Sequence, residues 1–462
     1  MTLAKERTLT LIMDAFRIHG GQRLTGTISV DGSKNAALPL LAAALLTDEA
    51  VSFKGIPSLS DISNMLTLLK ELGCDITEEN GVKTIKVDDS SNTHARYDIV
   101  RTMRASVCVL GPLLAKRGVA KVSMPGGCSF GDRPIDLHLR GLEALGARIE
   151  LDGGDIIANA EKLRGATIFL GGPFGSTVLG TANVMSAATL ATGTTIIESA
   201  ACEPEIVDLA NLLNAMGAKI SGAGTPRITI EGVDELSGTT HEVMPDRIVA
   251  GTWAIASAMT NGDIKIERFP LNQLLAVRDV LEHVGVHIHQ LDNQEDTNAC
   301  SVQIVTDRVL KPVIFTTQPF PGFPTDLQAQ MMALLCIARG NSIITEKIYP
   351  ERFMHVPELS RMGARLVRQG STVVVQGVDH LVGAPVMASD LRASASLVLA
   401  GLAAEGETIV SRVYHLDRGY ANMEVTLKSL GANIERLASE HVDDSLPTIE
   451  TVAQNQVVQS NS

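Results

Sequence analysis

LTLLKELGCDI, residues 66–76, reads as an amphipathic helix running into a strand. Leu68, Leu69 and Leu72 recur at helical spacing. Gly73 then stands where a helix ends in left-handed backbone, and a strand residue, Ile76, follows. The phrase returns at 137–149 (LHLRGLEALGARI), 207–220 (VDLANLLNAMGAKI), 277–288 (VRDVLEHVGVHI), 356–366 (VPELSRMGARL) and 423–434 (MEVTLKSLGANI). Its glycines, at 73, 146, 217, 285, 363 and 431, recur about every 70 residues, which marks an internal repeat.

A second phrase keeps step with the first. A helix of small residues ends in a Gly or charged turn and leads into a β-branched strand, as in 187–197 (AATLATGTTII) and 396–410 (SLVLAGLAAEGETIV). After each glycine phrase comes a hairpin, as in 364–377 (ARLVRQGSTVVVQG), with Gln369-Gly370 expected at the turn. Each unit therefore reads helix, strand, helix, strand, strand. Residues 178–192, 250–259 and 391–404 are apolar or small nearly all round, so these helices belong inside a bundle with the strands outside. Six such α/β units suit either a solenoid or two lobes of three. The break at Pro245 favours lobes: 34–244 as one, 13–33 plus 245–440 as the other, joined by strands near Gly32–Lys34 and Met244–Asp246. The opening strand pair, 16–30, would complete the second lobe. Residues 1–12 and 441–462 are polar or unpatterned and expected to be disordered.

Composition narrows the function. The chain has 462 residues, 45% hydrophobic and 20% charged, with net charge −13. The acidic balance disfavours nucleic acid. No apolar run reaches the 18 residues of a membrane span, and no proper signal peptide opens the chain. Six cysteines without CxxC spacing suit a reducing compartment, so a cytoplasmic protein is expected, with neither disulfide framework nor zinc site.

One loop stands apart. Met124-Pro-Gly-Gly-Cys-Ser-Phe-Gly-Asp-Arg-Pro-Ile-Asp-Leu-His138 lies between a strand, 120–123, and a helix, 137–145. Its glycines permit a tight fold, and it carries the thiol of Cys128 five residues before the guanidinium of Arg133. That pattern suits a lid closing on an anion. Elsewhere Lys34 and Asn35 open the first buried helix, and Arg104 interrupts an apolar one. Asp326 is fully explained as a helix N-cap when read alone. Arg352, Arg392 and Arg418 are each compatible with a structural salt bridge, and Arg247 reads equally as a lobe bridge or a ligand contact. Taken together, Lys34 and the arginines at 104, 133, 352, 392 and 418 recur at the same edge of their units. Six cations on one cleft make a competent polyphosphate or carboxylate site. No metal or dinucleotide motif is present, and no metal or cofactor is expected.

The motifs Ser33-Lys-Asn-Ala-Ala-Leu, Met103-Arg-Ala-Ser, Pro125-Gly-Gly-Cys, Arg133-Pro-Ile-Asp-Leu-His, Glu203-Pro-Glu-Ile-Val-Asp, Phe323-Pro-Thr-Asp, Arg352-Phe-Met-His-Val-Pro-Glu-Leu and Asp417-Arg-Gly-Tyr carry a resemblance. From about residue 16 to 437 the chain resembles the UDP-N-acetylglucosamine 1-carboxyvinyltransferase family of enolpyruvyl transferases. The resemblance implies a two-lobed inside-out α/β barrel closing around its substrates, UDP-N-acetylglucosamine and phosphoenolpyruvate. It implies Cys128 as the lid acid and Asp326 as the carboxylate that takes the hydroxyl proton. Lys34, Arg133 and Arg418 would hold phosphoenolpyruvate, and Arg104 the nucleotide's phosphates. Asn35, Arg133, Pro134, Ile135, Asp136, Leu137, Asp326 and Ile348 would contact the sugar nucleotide, with Arg352 and Arg392 among the binding groups. One stretch departs: where many relatives read Ser-Val-Gly-Ala-Thr, this chain has Thr177-Val-Leu-Gly-Thr181, which puts Leu179 at the loop that meets the nucleotide. The transferases acting on shikimate 3-phosphate share the six-unit plan but lack an equivalent lid cysteine. A catalytically idle sugar-nucleotide binder is a further alternative, disfavoured by intact Lys34, Cys128, Asp326 and Arg418.

Overall fold

All six repeat glycines take positive φ, from 87° at Gly73 to 106° at Gly217, with 98° at Gly146, 103° at Gly285, 89° at Gly363 and 94° at Gly431. Each ends an outer helix in the left-handed backbone that a side chain resists, and so turns the chain into the next strand. The computed structural model describes residues 14–125, 135–292, 298–307 and 309–438. Cys128, Arg133 and Pro134, expected in a lid, and both terminal stretches expected to be disordered, 1–12 and 441–462, lie outside the described residues.

Among the described residues, six four-stranded sheets share one plan. In the third unit Thr194–Glu198 pairs in parallel with Thr167–Phe169 and antiparallel with Arg227–Glu231, whose other neighbour is Lys219–Ser221. The parallel edge strand always follows the hairpin of the preceding unit. In the first sheet this strand is Thr240–Glu242, from the end of the third unit, pairing with Val51–Lys54. The first three units thereby close into a ring.

The second ring closes through the chain's beginning. Ala15–His19 and Thr25–Ser29 are strands, as expected, but they do not pair with each other. Ala15–His19 lies between Glu407–Ser411 and Asn433–Leu437. Thr25–Ser29 runs parallel to Asp263–Phe269, in the sheet of the fourth unit. The last repeat is circularly permuted: its missing hairpin strand is supplied from the other end of the chain. The fifth-unit hairpin also differs by one residue, since Gln369 pairs with Thr372 and the loop is Gly370-Ser371.

Within each ring three helices pack face to face. Lys34–Ala43, Leu110–Arg117 and Val178–Ala188 form one bundle; Arg247–Met259, Gln328–Leu335 and Leu391–Ala403 form the other. Their small side chains allow close approach, and most of their residues are buried. The result is the expected inside-out α/β barrel in two lobes, with sheets outside and helices within. One hydrophobic cluster runs from Ala36 to Val243; the other joins Phe16 to Val30 with Ile248 to Ile434. The two crossing segments meet side by side, with Gly32 bridged to Pro245 and Ser33 N–H donating to the Met244 carbonyl at 2.7 Å. Four inner helices are capped by their own side chains, Ser33, Thr177, Asp246 and Asp390. The partial positive charge of such helix starts favours an anion nearby.

Candidate active site

Lys34 is the first residue of its helix, and its backbone N–H donates to Asp246 Oδ2 at 3.1 Å. Its ammonium reaches Asp61 Oδ2 at 3.2 Å. Asp61, on the helix Ser60–Glu71, is buried and also receives Arg418 from the far lobe: Nε to Oδ1 at 3.0 Å and Nη2 to Oδ2 at 3.4 Å. One carboxylate thus joins two cations of opposite lobes. Burial lowers the Lys34 pKa; Asp61 opposes this, while Arg392 and Arg418 add to it and Asp326 opposes it again. Lys34 thus lies within electrostatic reach of four charged groups, three of them from the second lobe.

Asp326 organises the neighbouring cluster. It sits inside the 3-10 turn Thr325–Leu327 rather than at the N-cap of Gln328–Leu335, so the capping explanation fails. Its Oδ1 accepts from Arg352 at 2.7 Å and its Oδ2 from Arg392 at 3.2 Å. Both guanidiniums are nearly fully buried. Burial is the largest single influence and works against their charge; Asp326 opposes it, joined by Asp390 at Arg352 and by Tyr420 and Asp246 at Arg392, and together these partners leave both pKa values raised. Arg392 also donates to the Tyr420 hydroxyl at 3.1 Å, beside Thr252 and Gln330. Beneath, fully buried Glu346 accepts from Thr317, Thr325 and the backbone N–H groups of Ile348 and Tyr349, all at 2.8–2.9 Å. Four donors on one carboxylate fix the Asp326 turn and the Ile348 loop to each other.

The remaining candidates lie beside these clusters. Arg104 begins the 3-10 helix Arg104–Val109, at the mouth of the apolar stretch rather than within it. It bears on buried His138, whose pKa falls to about 3 through burial first and Arg104 second. His138 is therefore neutral, and its Nδ1 meets Asn183 Nδ2 at 3.0 Å. Ile135 is buried, Asp136 exposed, and Leu137 and Asn35 half-buried on helix starts. Arg247 resolves as a bridge: its Nε and Nη2 reach Glu205 at 3.0 and 3.3 Å across the lobes. Nearby, Phe320 N–H donates to Glu203 Oε1 at 3.3 Å.

The structure thus brings together Lys34, Asp326, Arg352, Arg392 and Arg418, which include four of the six cations expected at one edge. Asp61, Asp246, Glu346 and Tyr420 were missed. Asp61 looks like an ordinary acid in a helix's first turn; only an unexplained burial pattern beside Ile62 and Met65 hinted at more. Two cation clusters around two carboxylates, at capped helix starts, can hold a multiply charged anion and place a carboxylate against its partner.

Residues 18–427 match the family model of EPSP synthase (3-phosphoshikimate 1-carboxyvinyltransferase). The chain belongs to the EPSP synthase family. Within that family it is 53% identical over 428 residues to the UDP-N-acetylglucosamine 1-carboxyvinyltransferase of Magnetococcus marinus, covering 92% of this chain and 100% of that one. It is 51% identical to the protein of the same name from Methylacidiphilum infernorum, over 93% and 100%. Among solved structures, the enolpyruvyl transferase NikO from Streptomyces tendae matches with TM-score 0.83 at 24% identity, over 93% of this chain and 100% of that one. EPSP synthase from Acinetobacter baumannii matches at 0.72 with 18% identity, over 92% and 100%. These two likenesses speak for the EPSP synthase fold alone. Among the described residues no helix is long and apolar enough to cross a membrane.

Proposed function

We propose that the chain transfers the enolpyruvyl group of phosphoenolpyruvate to the 3′-hydroxyl of UDP-N-acetylglucosamine and releases phosphate, the step that commits a cell to peptidoglycan. The observation that carries this reading is the full-length identity of 51–53% to relatives bearing that activity in their names. The cross-lobe cation clusters support it.

The reaction is an addition followed by an elimination. The 3′-oxygen bonds to C2 of phosphoenolpyruvate while Cys128 gives a proton to the C3 methylene and Asp326 takes the hydroxyl proton. Then the C2–O bond to phosphate breaks, C3 loses a proton, and the vinyl ether remains. An unperturbed thiol, with a pKa of about 8.5, is protonated near neutrality and able to donate. Lys34, Arg133 and Arg418 hold phosphoenolpyruvate, and Arg104 the diphosphate. Asn35, residues 133–137, Asp326 and Ile348 contact the sugar nucleotide, with Arg352 and Arg392 holding Asp326 in place. The scheme needs no metal or redox cofactor. We assign the lobes to 34–244 and to 13–33 plus 245–440, and the protein to the cytoplasm.

Phosphate release is expected only when UDP-N-acetylglucosamine and phosphoenolpyruvate are both present. Turnover with shikimate 3-phosphate in place of the sugar nucleotide would reverse the assignment. Fosfomycin, an epoxide resembling the small substrate, is expected to alkylate Cys128 through the thiolate fraction of its side chain. An unmodified Cys128 peptide in the mass spectrum after saturating drug would count against a lid thiol.

A further inference from the structure

Lys34 and Arg418 are like charges that meet on one carboxylate, Asp61. Bare, they would repel, and the far-lobe guanidinium would turn outward. Asp61 prevents this. Its side chain is 3% exposed, and both its oxygens are engaged, Oδ1 by Arg418 and Oδ2 by both cations. The contact leaves each cation with spare donors. Arg418 spends Nε and Nη2 and keeps Nη1, and an ammonium has three N–H bonds. Asp61 is buried where Arg418 is partly exposed, so the carboxylate lies on the protein side of that contact. Arg418 is also 37% exposed, which leaves its free edge toward solvent.

We propose that Asp61 is a positioning residue: a built-in counter-anion that ties Lys34 to Arg418 across the lobes and aims their free donors at the incoming phosphoenolpyruvate. This inference rests on the reaction assigned above. The other charged groups facing Lys34 are Arg392, Arg418 and Asp326, with Asp246 at its backbone N–H. Of the two carboxylates that favour the charged ammonium, Asp61 has the greater effect. An anion-binding lysine must carry its proton. Removing Asp61 therefore moves the loss of that proton to lower pH.

Asp61→Asn keeps the shape and removes the charge. It is expected to raise KM for phosphoenolpyruvate at least about tenfold, with a smaller change in kcat and little change in KM for UDP-N-acetylglucosamine. The alkaline limb of kcat/KM for phosphoenolpyruvate is expected to fall by about one pH unit or more. Asp61→Glu is expected to recover part of both. A scaffold residue would instead weaken both substrates alike and leave the limb where it was, and that result overturns the proposal. Competitive labelling of Lys34 with acetic anhydride across pH, read by mass spectrometry, needs no turnover. Its midpoint is expected to fall in Asp61→Asn, and an unmoved midpoint also overturns the proposal. If the unaltered protein turns over neither substrate, the assigned reaction fails, while the labelling midpoint still decides the role of Asp61.

Discussion

Asp326→Asn is expected to lower kcat by about two to four orders of magnitude, the range that a positioned acid or base contributes. The substitution keeps the outline of the side chain and one acceptor oxygen. It removes the negative charge from between Arg352 and Arg392, which hold the two carboxylate oxygens at 2.7 and 3.2 Å. In the proposed reaction the 3′-hydroxyl then loses the group that takes its proton. Asp326 is 26% exposed at its side chain, so water softens the cost of leaving two guanidiniums together. The fold is expected to survive with a modest fall in Tm, seen by circular dichroism. Steady-state kcat within about threefold of the unaltered protein would remove Asp326 from the chemistry.

The largest effect on stability is expected from Arg247→Ala. Arg247 and Glu205 are both more than nine-tenths buried and meet through two hydrogen bonds from opposite lobes. Truncating one partner strands the other charge in a dry site, at a cost of about 3–5 kcal/mol. It also removes the guanidinium from the face of Phe320, whose ring centre lies 5.7 Å away. Urea unfolding followed by tryptophan fluorescence reads the loss through Trp253, buried in the helix Arg247–Met259. The paired change Arg247→Met with Glu205→Leu removes both charges and is expected to restore most of the stability. Equal losses in the single and the paired variants would mean that packing, not the ion pair, holds the two lobes there.

The repeat was legible because its signal is local. A helix that ends in Gly and turns into a strand writes its geometry within a dozen residues, and all six glycines take the backbone that the phrase requires. Burial of the Ala-rich helices followed from their composition in the same way. Pairings across the chain were not legible. Nothing near Ala15 announces Leu437 as its partner, and nothing near Thr25 announces Asp263. The site divides along the same line. Arginines at a shared edge of each unit stand out because a buried cation is costly. Carboxylates do not stand out. Asp61 at a helix start and Glu346 at a strand end look like surface acids until the fold brings Arg418 to one and four donors to the other. The Asp326 stretch read alone is silent for the same reason, since an N-cap is a sufficient local account and its arginine partners lie 26 and 66 residues away.

A crystal structure of the protein soaked with UDP-N-acetylglucosamine puts the whole account at risk in one experiment. The sugar's 3′-hydroxyl is predicted to lie within hydrogen-bond reach of Asp326, with Lys34 and Arg418 converging on the space beside it from opposite lobes. A nucleotide seated on one lobe alone, with its hydroxyl remote from Asp326 and from the Asp61 ion pairs, would contradict it.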